Sequence, residues 1–501
     1  MWDFRLWYFL LIRSCDKKLK VEALFFSNFL NFRREFSLFG NNLIVASGKA
    51  PNGQTWFFNE TAYEILKLCD GNKNLKEIIE LICSSYEGNK TEIVSDVRNF
   101  IINGIKSGYI LFNRRDKWNQ NSLLCSHNVG LPSKPLRDYL YSPLLVLLEV
   151  TYACNLRCKH CYASAGRPMK DELSTDELRK LAEELGKIKV FDVAIGGGEP
   201  LLREDLPEVI NAFVENKVEP TLATNGTLFD EEAAEELWKA GLRKVQFSLD
   251  GASSEVHDSI RGVKGSFEKT IKAVEVAKTI GYSVAIKTIA QKENLNQIQE
   301  ITKLAYNLAV DDLSVNRAVP YGRAKENLLE TFIPYKAYEE LVKDLMRSSK
   351  VNLKLDLYPS SKRISNRKEF ATCQAATMSL HICPNGDVKP CSYFPDQYIC
   401  GSVRKESIQD IWLNSKVLNE LRNIHFNELW EPCKSCSVVC NGGCRAAAVS
   451  FFGDIYAPDP LCPMVQNEIP NLLKSKKLKE LKVVQKVCAP NPEGYLNIKM
   501  A

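Results

Sequence analysis

The sequence predicts an α/β fold, with a small strand-and-helix unit ahead of it and a cysteine-rich region behind it. Three observations lead there. From Ser142 onward, short apolar segments rich in β-branched residues alternate with amphipathic helical segments. Before that point the pattern is a few short strands around Gly and Asn turns, then helices. Beyond about Leu353 long periodic segments become scarce and cysteines become dense. Repeated β–α units imply parallel strands with helices outside, as an open sheet or as a partial or full barrel.

The 501 residues are too many for one core, so two to four domains are expected. A composition 45% hydrophobic and 25% charged belongs to a globular chain, and a net charge of +5 is too weak to mark a nucleic-acid binder. The apolar start "MWDFRLWYFLLIRS" is broken by Asp3 and Arg5 and is too short to span a bilayer. It also lacks the features of a signal peptide. Residues 1–30 are therefore assigned as an extension.

Residues 31–115 form the first unit. "EFSLFGNNLIVAS" and "GQTWFFN" are expected strands, and "NETAYEILKLC" is an expected helix stopped by Asp70-Gly71-Asn72. "NLKEIIELICSSY" and "IVSDVRNFIINGIKSGYI" supply two more helices. Nothing in this unit resembles a catalytic constellation. A polar linker, 116–141, follows. In 142–350 the expected strands are "LLVLLEVT", "VFDVAI", "PTLAT", "KVQFSL", "YSVAIKTI" and "DLSVNRAV". Ser174 and Glu177 are spaced as a capping box for the first intervening helix. Residues 351–470 have too little apolar content for a core of their own and are expected to lean on metals. Residues 471–501 are a basic amphipathic tail.

Seventeen cysteines are an odd number, and they cluster. Cys154, Cys158 and Cys161 stand within one short loop, directly after the first strand of the repeating region. Cys373, Cys391, Cys433, Cys436, Cys440, Cys444 and Cys462 form a second group, with Cys383 and Cys400 nearby. In a long chain of this type such cysteines are metal ligands in a reducing, cytoplasmic setting rather than disulfides. With only five histidines, His-rich zinc or iron sites are not expected. Three soft ligands on one loop suit an iron–sulfur cluster with one iron left open, since a closed cluster takes four.

At this point the chain resembles the radical S-adenosylmethionine (radical SAM) enzymes, whose signature is Cys-x3-Cys-x-aromatic-Cys, here with His160 in the aromatic slot. Further motifs stand in order at the expected strand ends: "GGGEP" (Gly196 to Pro200), "TNG" (Thr224 to Gly226), "SLDG" (Ser248 to Gly251) with His257 and "IRG" (Ile260 to Gly262), and "VPYGRA" (Val319 to Ala324). The resemblance implies a partial (β/α)6 barrel. It also implies a 4Fe–4S cluster on Cys154, Cys158 and Cys161, completed by S-adenosylmethionine. Gly197, Gly198, Glu199, Pro200, Thr224, Asn225, Ser248, Asp250 and Arg261 are then the implied cofactor-binding residues. Glu199 would take the methionine ammonium and Arg261 its carboxylate.

The C-terminal cysteines resemble a SPASM domain, which carries up to two auxiliary 4Fe–4S clusters. Its pattern assigns Cys373, Cys391 and Cys444 to one cluster and Cys433, Cys436, Cys440 and Cys462 to the other. The gap of three residues between Cys436 and Cys440 departs from the usual five. Cys383 is either the fourth ligand of the first auxiliary cluster or an apolar filler. Zinc is the alternative occupant of these cysteines. Residues 31–115 resemble a PqqD-like domain, which is a small α+β, winged-helix-like unit that recognises the leader of a precursor peptide. Together the resemblances imply an enzyme that cleaves S-adenosylmethionine to a 5′-deoxyadenosyl radical and modifies a ribosomally made peptide, with ferredoxin or flavodoxin as electron donor. "GGCRAAAVSFFGDIYAPDPLCP" also resembles radical SAM proteins that tailor haem precursors, which is the alternative substrate class. A metal-stabilised binding scaffold is the non-enzymatic alternative.

Overall fold

The chain divides into two compact units, residues 1–141 and 142–501. The computed structural model describes residues 142–355, most of 373–465 and most of 70–107, together with the backbone of five further N-terminal strands. The linker 116–141, the tail 471–501, most of the helix expected near residues 59–69, and Cys440 lie outside the described residues.

In the first unit β2 (Leu30–Phe36), β3 (Asn42–Gly48) and β4 (Thr55–Asn59) form an antiparallel meander. A second sheet orders β5 (Asp70–Asn74), β1 (Lys20–Ala23) and β6 (Ile110–Phe112), also antiparallel. β1 lies inside the stretch assigned as an extension and is the central strand of this sheet. β5 lies where a turn was expected. Its Gly and Asn residues are poor strand formers, but among the described residues it is an edge strand, paired with β1. Between β5 and β6 run α1 (Leu75–Ser85) and α2 (Lys90–Ser107), which bury Ile78, Ile79, Ile82, Val97 and Ile101.

In the second unit β7 (Leu145–Thr151), β8 (Asp192–Gly197), β9 (Glu219–Thr224), β10 (Lys244–Ser248), β11 (Ser283–Ala290) and β12 (Asp312–Arg317) are parallel neighbours in chain order. They correspond to the six expected strands. The crossovers carry α3 (Thr175–Lys187), α4 (Leu206–Glu215), α5 (Glu231–Lys239), α6 (Ser254–Arg261) with α7 (Ser266–Ile280), and α8 (Ile298–Asn307). The Ser174–Glu177 capping box is formed, and Glu177 also accepts from Arg404 at 2.6 Å.

The parallel sheet continues past residue 350. After the short helices α9 (Arg323–Glu326) and α10 (Leu328–Thr331), α11 (Tyr335–Ser348) leads into β13 (Asn352–Leu355), which pairs with β12. At the other edge β14 (Ser379–Ile382) adds to β7 in parallel, followed by antiparallel β15 (Asp387–Lys389) and β16 (Gly401–Ser402). The ten-stranded sheet stays open, with β13 and β16 as its edges. The cysteine-rich region is thus built onto the sheet. It adds α12 (Ile408–Asn414), α13 (Lys416–Arg422), α14 (Arg445–Phe452) and two small apolar clusters around Phe451 and Phe394.

Strand residues alternate between two environments. Val146, Leu148, Val193, Ile195, Leu222, Phe247, Ile286 and Val315 face the helices and are 0–1% exposed. Their neighbours, such as Gln246, Ser248, Lys287, Ser314 and Asn316, occupy the opposite, polar face. A polar second face on a parallel sheet is where a ligand site belongs, at the carboxyl ends of the strands. Phe247 meets Phe229 edge-on at 5.2 Å and is fully buried. Phe247→Ala should therefore lower stability by about 3–5 kcal/mol, read as a shifted denaturation midpoint in urea.

Candidate functional site

The loop after β7 carries Cys154, Cys158 and Cys161, and the rest of the site holds that loop. Gly198 N–H donates to Thr151 O at 2.7 Å and Glu199 N–H to Ala153 O at 2.8 Å. At this approach a Cβ on Gly198 would lie 2.1 Å from Ala153 O. One on Gly197, where φ is +128°, would lie 2.3 Å from Thr151 O. These glycines are required by the chain's own backbone.

Glu199 is fully buried. Its Oε1 accepts from the Thr224 hydroxyl at 2.8 Å and from Leu201 N–H at 3.2 Å, and its Oε2 accepts from Asn225 N–H at 2.8 Å. Burial pushes its carboxyl above the usual range, against these hydrogen bonds. Pro200, also buried, opens the 3-10 turn that Glu199 caps. The Asn225 side chain donates to Asn155 Oδ1 at 2.9 Å, so "TNG" grips the residue next to Cys154.

The other side of the loop docks on α6. Arg157 N–H donates to Arg261 O and Lys159 N–H to Ile260 O, each at 3.0 Å. Asp250 is fully buried, receives Ile289 N–H on Oδ1 at 2.8 Å, and pairs through Oδ2 with Arg261 at 2.7 Å. Burial alone would raise Asp250, but the guanidinium holds it below the usual range. Arg261 also donates toward Cys158 Sγ at 3.7 Å. The fork expected for a methionine carboxylate is therefore shared between Asp250 and a cysteine of the loop. His160 Nε2 stands 3.4 Å from Asp250 Oδ2, and burial pushes the ring down to about 4, so it is neutral near pH 7. His257 is buried and accepts Asp250 N–H on Nδ1 at 3.2 Å. Ser248 ends β10 on the polar face, in register with Lys287.

Arg323, within "VPYGRA", has no role that the sequence pattern assigns. Its backbone N–H donates to Cys161 O, its Nε to Cys158 O and a terminal nitrogen to Ala165 O, all at 2.9 Å. A Cβ on Gly322 would lie 2.1 Å from Tyr162 O. Four motifs scattered over the sequence thus act as one clamp. The signal available beforehand was the basic residue beside a glycine at a strand end. Burial raises Cys154 to about 11 and also raises Cys158, and the three thiols interact electrostatically. Buried thiols such as Cys154 and Cys158 become thiolates around a cationic centre. The donor chemistry therefore fits an iron–sulfur cluster.

In the C-terminal region Cys373, Cys391 and Cys444 interact with one another. Burial pushes Cys391 up to about 12, and Cys444 rises well above its ordinary value. Cys433 and Cys462 pack against one apolar cluster, and Cys436 N–H donates to Cys433 O at 3.2 Å. Cys400 packs on the main core and donates to Tyr398 O. Cys383 is buried beside Tyr152, His381 and Lys389. Gly198→Ala should leave the chain folded by circular dichroism but displace the cysteine loop. Iron bound at Cys154, Cys158 and Cys161 should fall, while C-terminal iron is retained, as read by metal analysis.

The Radical SAM superfamily description matches residues 148–305, the SPASM iron–sulfur cluster-binding domain residues 373–437, and Coenzyme PQQ synthesis protein D (PqqD) residues 44–110. The chain is 32% identical over 341 residues to an AdoMet-dependent heme synthase of Methanosarcina barkeri, covering 64% of this chain and 96% of that protein. It is 31% identical over 331 residues to the mycofactocin maturase MftC of Mycolicibacterium smegmatis, covering 64% of this chain and 83% of that protein. Its fold is similar to that of Streptococcus suis SuiB bound to S-adenosylmethionine, with a TM-score of 0.62, 19% identity, and coverage of 87% of this chain and 99% of that one. The chain belongs to the radical SAM superfamily, in the group with a C-terminal SPASM domain, and carries a PqqD domain at its N-terminal end.

Proposed function

We propose that this radical SAM enzyme modifies a ribosomally made peptide, docked through its PqqD domain. The observation that carries the reading is the PqqD match to residues 44–110, a peptide-reading unit ahead of the radical SAM unit. Relatives named as peptide maturases support it. Holding the leader raises the effective concentration of the segment to be modified.

Cys154, Cys158 and Cys161 would hold a 4Fe–4S cluster with one iron left for S-adenosylmethionine. Bound together and given one electron from a reduced donor, the two would supply a 5′-deoxyadenosyl radical able to abstract hydrogen from a substrate carbon. The chain's own residues fix the loop and its charge. Glu199, with Thr224 and Asn225, braces the loop from one side. Asp250 and Arg261 set a buried charge pair against Cys158 from the other. Gly197, Gly198 and Pro200 shape the wall, and Ser248 offers a hydroxyl on the polar face. Cys373, Cys391 and Cys444 would hold one auxiliary cluster, and Cys433, Cys436, Cys440 and Cys462 a second. The electron donor would be a ferredoxin or flavodoxin, and clustered thiolates suit a cytoplasmic location. Among the described residues no helix is long and apolar enough to cross a membrane.

The second reading, a haem-precursor substrate, rests on the relatives named as heme synthases. Deleting residues up to about Asn113 separates the two. The truncated enzyme should still form 5′-deoxyadenosine, while modification of a leader-bearing peptide drops sharply by mass spectrometry. Undiminished turnover of a tetrapyrrole without the N-terminal unit would favour the second reading. Changing Cys154, Cys158 and Cys161 together to Ala should remove about four iron atoms and all S-adenosylmethionine cleavage. The C-terminal iron should stay.

A further inference from the structure

Glu149 and His381 belong to none of the cysteine sets, and the fold brings Cys383 beside them. They meet through strand register. β14 runs parallel to β7 with His381 opposite Leu147 and Ile382 opposite Leu148, so Cys383 comes alongside Glu149. Val146, Leu148, Leu380 and Ile382 turn to the helix-covered core. With a side-chain period of two, Glu149, His381 and Cys383 therefore share the opposite face. Their exposures are 3%, 1% and 4%. One donor atom from each, a carboxylate oxygen, a ring nitrogen and a sulfur, all lie within 4.8 Å of one another.

We propose that Glu149, His381 and Cys383 form a binding site for a zinc-class divalent cation, separate from the cysteines that take iron. The donor set is the first argument. Carboxylate, imidazole and thiolate are the three ligand types zinc takes from proteins, and three protein ligands with a fourth position open is the arrangement of reactive zinc sites. Geometry is the second. His381 Nε2 and Glu149 Oε2 are 3.0 Å apart. Ligands about 2.0–2.1 Å from a tetrahedral ion stand about 3.3 Å from each other, so the pair already has close to the required spacing.

The third argument is charge. A divalent ion with a carboxylate, a thiolate and a neutral imidazole leaves no net charge in a site this buried, where an uncompensated charge is costly. The surroundings are the fourth. Tyr152 Oη donates to Glu149 Oε2 at 2.7 Å, and the Tyr162 side chain lies close to this carboxylate. Such outer hydrogen bonds orient a metal-binding carboxylate. Glu149 Oε1 and His381 Nδ1 are buried with no hydrogen-bond partner. Tyr162 follows Cys161 directly, and its ring meets Tyr393 edge-on at 5.2 Å. The site thus adjoins the first cysteine loop on one side and the segment after Cys391 on the other.

This inference does not depend on whether the substrate is a peptide. The full-length chain, reconstituted with iron and sulfide, is loaded with zinc sulfate, desalted and analysed for zinc, iron and zinc-edge X-ray absorption. The expected result is about one zinc per chain, with one sulfur at about 2.3 Å and the remaining ligands nitrogen or oxygen at about 2.0–2.2 Å. Cys383→Ser and His381→Ala should each lose that zinc while retaining wild-type iron content. Glu149→Gln, which keeps the shape, covers the case where His381→Ala fails to fold. The proposal is overturned if the wild type retains no zinc, if the zinc has several sulfur neighbours, or if the variants keep it. Loss of about four iron atoms from Cys383→Ser would also overturn it, because Cys383 would then be an auxiliary-cluster ligand.

Discussion

The site depends on one close contact between two backbones. The segment after β8 lies so near the loop after β7 that Gly198 and Glu199 hydrogen-bond to Thr151 and Ala153 with no space for a side chain between them. That contact fixes where the cysteine loop leaves the sheet. The thiol positions, the depth of Glu199 and the grip of Asn225 on Asn155 follow from it. A side chain at Gly198 would have to displace a carbonyl that begins the loop itself, which no rotamer change can relieve.

Around this contact charges are placed so that little is left uncompensated. Asp250, Arg261 and the sulfur of Cys158 form a buried series, with a neutral His160 at its flank. Removing one charge from such a series leaves its partner stranded in an apolar setting, so the members act as a unit. Arg323 contributes in another way. Its nitrogens donate to three carbonyls of the loop, tying residues over 150 positions apart in the chain.

Much of this was legible in the sequence. The six parallel strands are apolar and β-branched because one face packs under helices, and their ends carry the short motifs in chain order. The capping box was readable from Ser174 and Glu177 alone. What escaped had physical reasons. "LHICP" reads as a strand, but its place beside β7 does not, because the partner lies more than 200 residues earlier. β5 reads as a turn because Asp70-Gly71-Asn72 is turn chemistry, overridden at a sheet edge. Whether Cys383 stands with Cys373 and Cys391 or fills the core was not legible, because linear spacing carries no information about which face of a strand a thiol occupies. The sequence does not say which backbone the glycines of "GGGEP" approach. For Gly197 and Gly198 that backbone includes the carbonyls of Thr151 and Ala153.

The pairing of β14 with β7 has a consequence for biosynthesis. On the ribosome, β7 emerges early, and β8 can cover one of its edges soon afterwards. Its other edge has no partner until residue 382 has been made. For that interval the nascent chain presents an unpaired, largely apolar strand next to three reactive thiols, a combination prone to off-pathway association. Chaperone protection during elongation, and delayed delivery of iron and sulfide, would therefore serve this chain better than early metal loading.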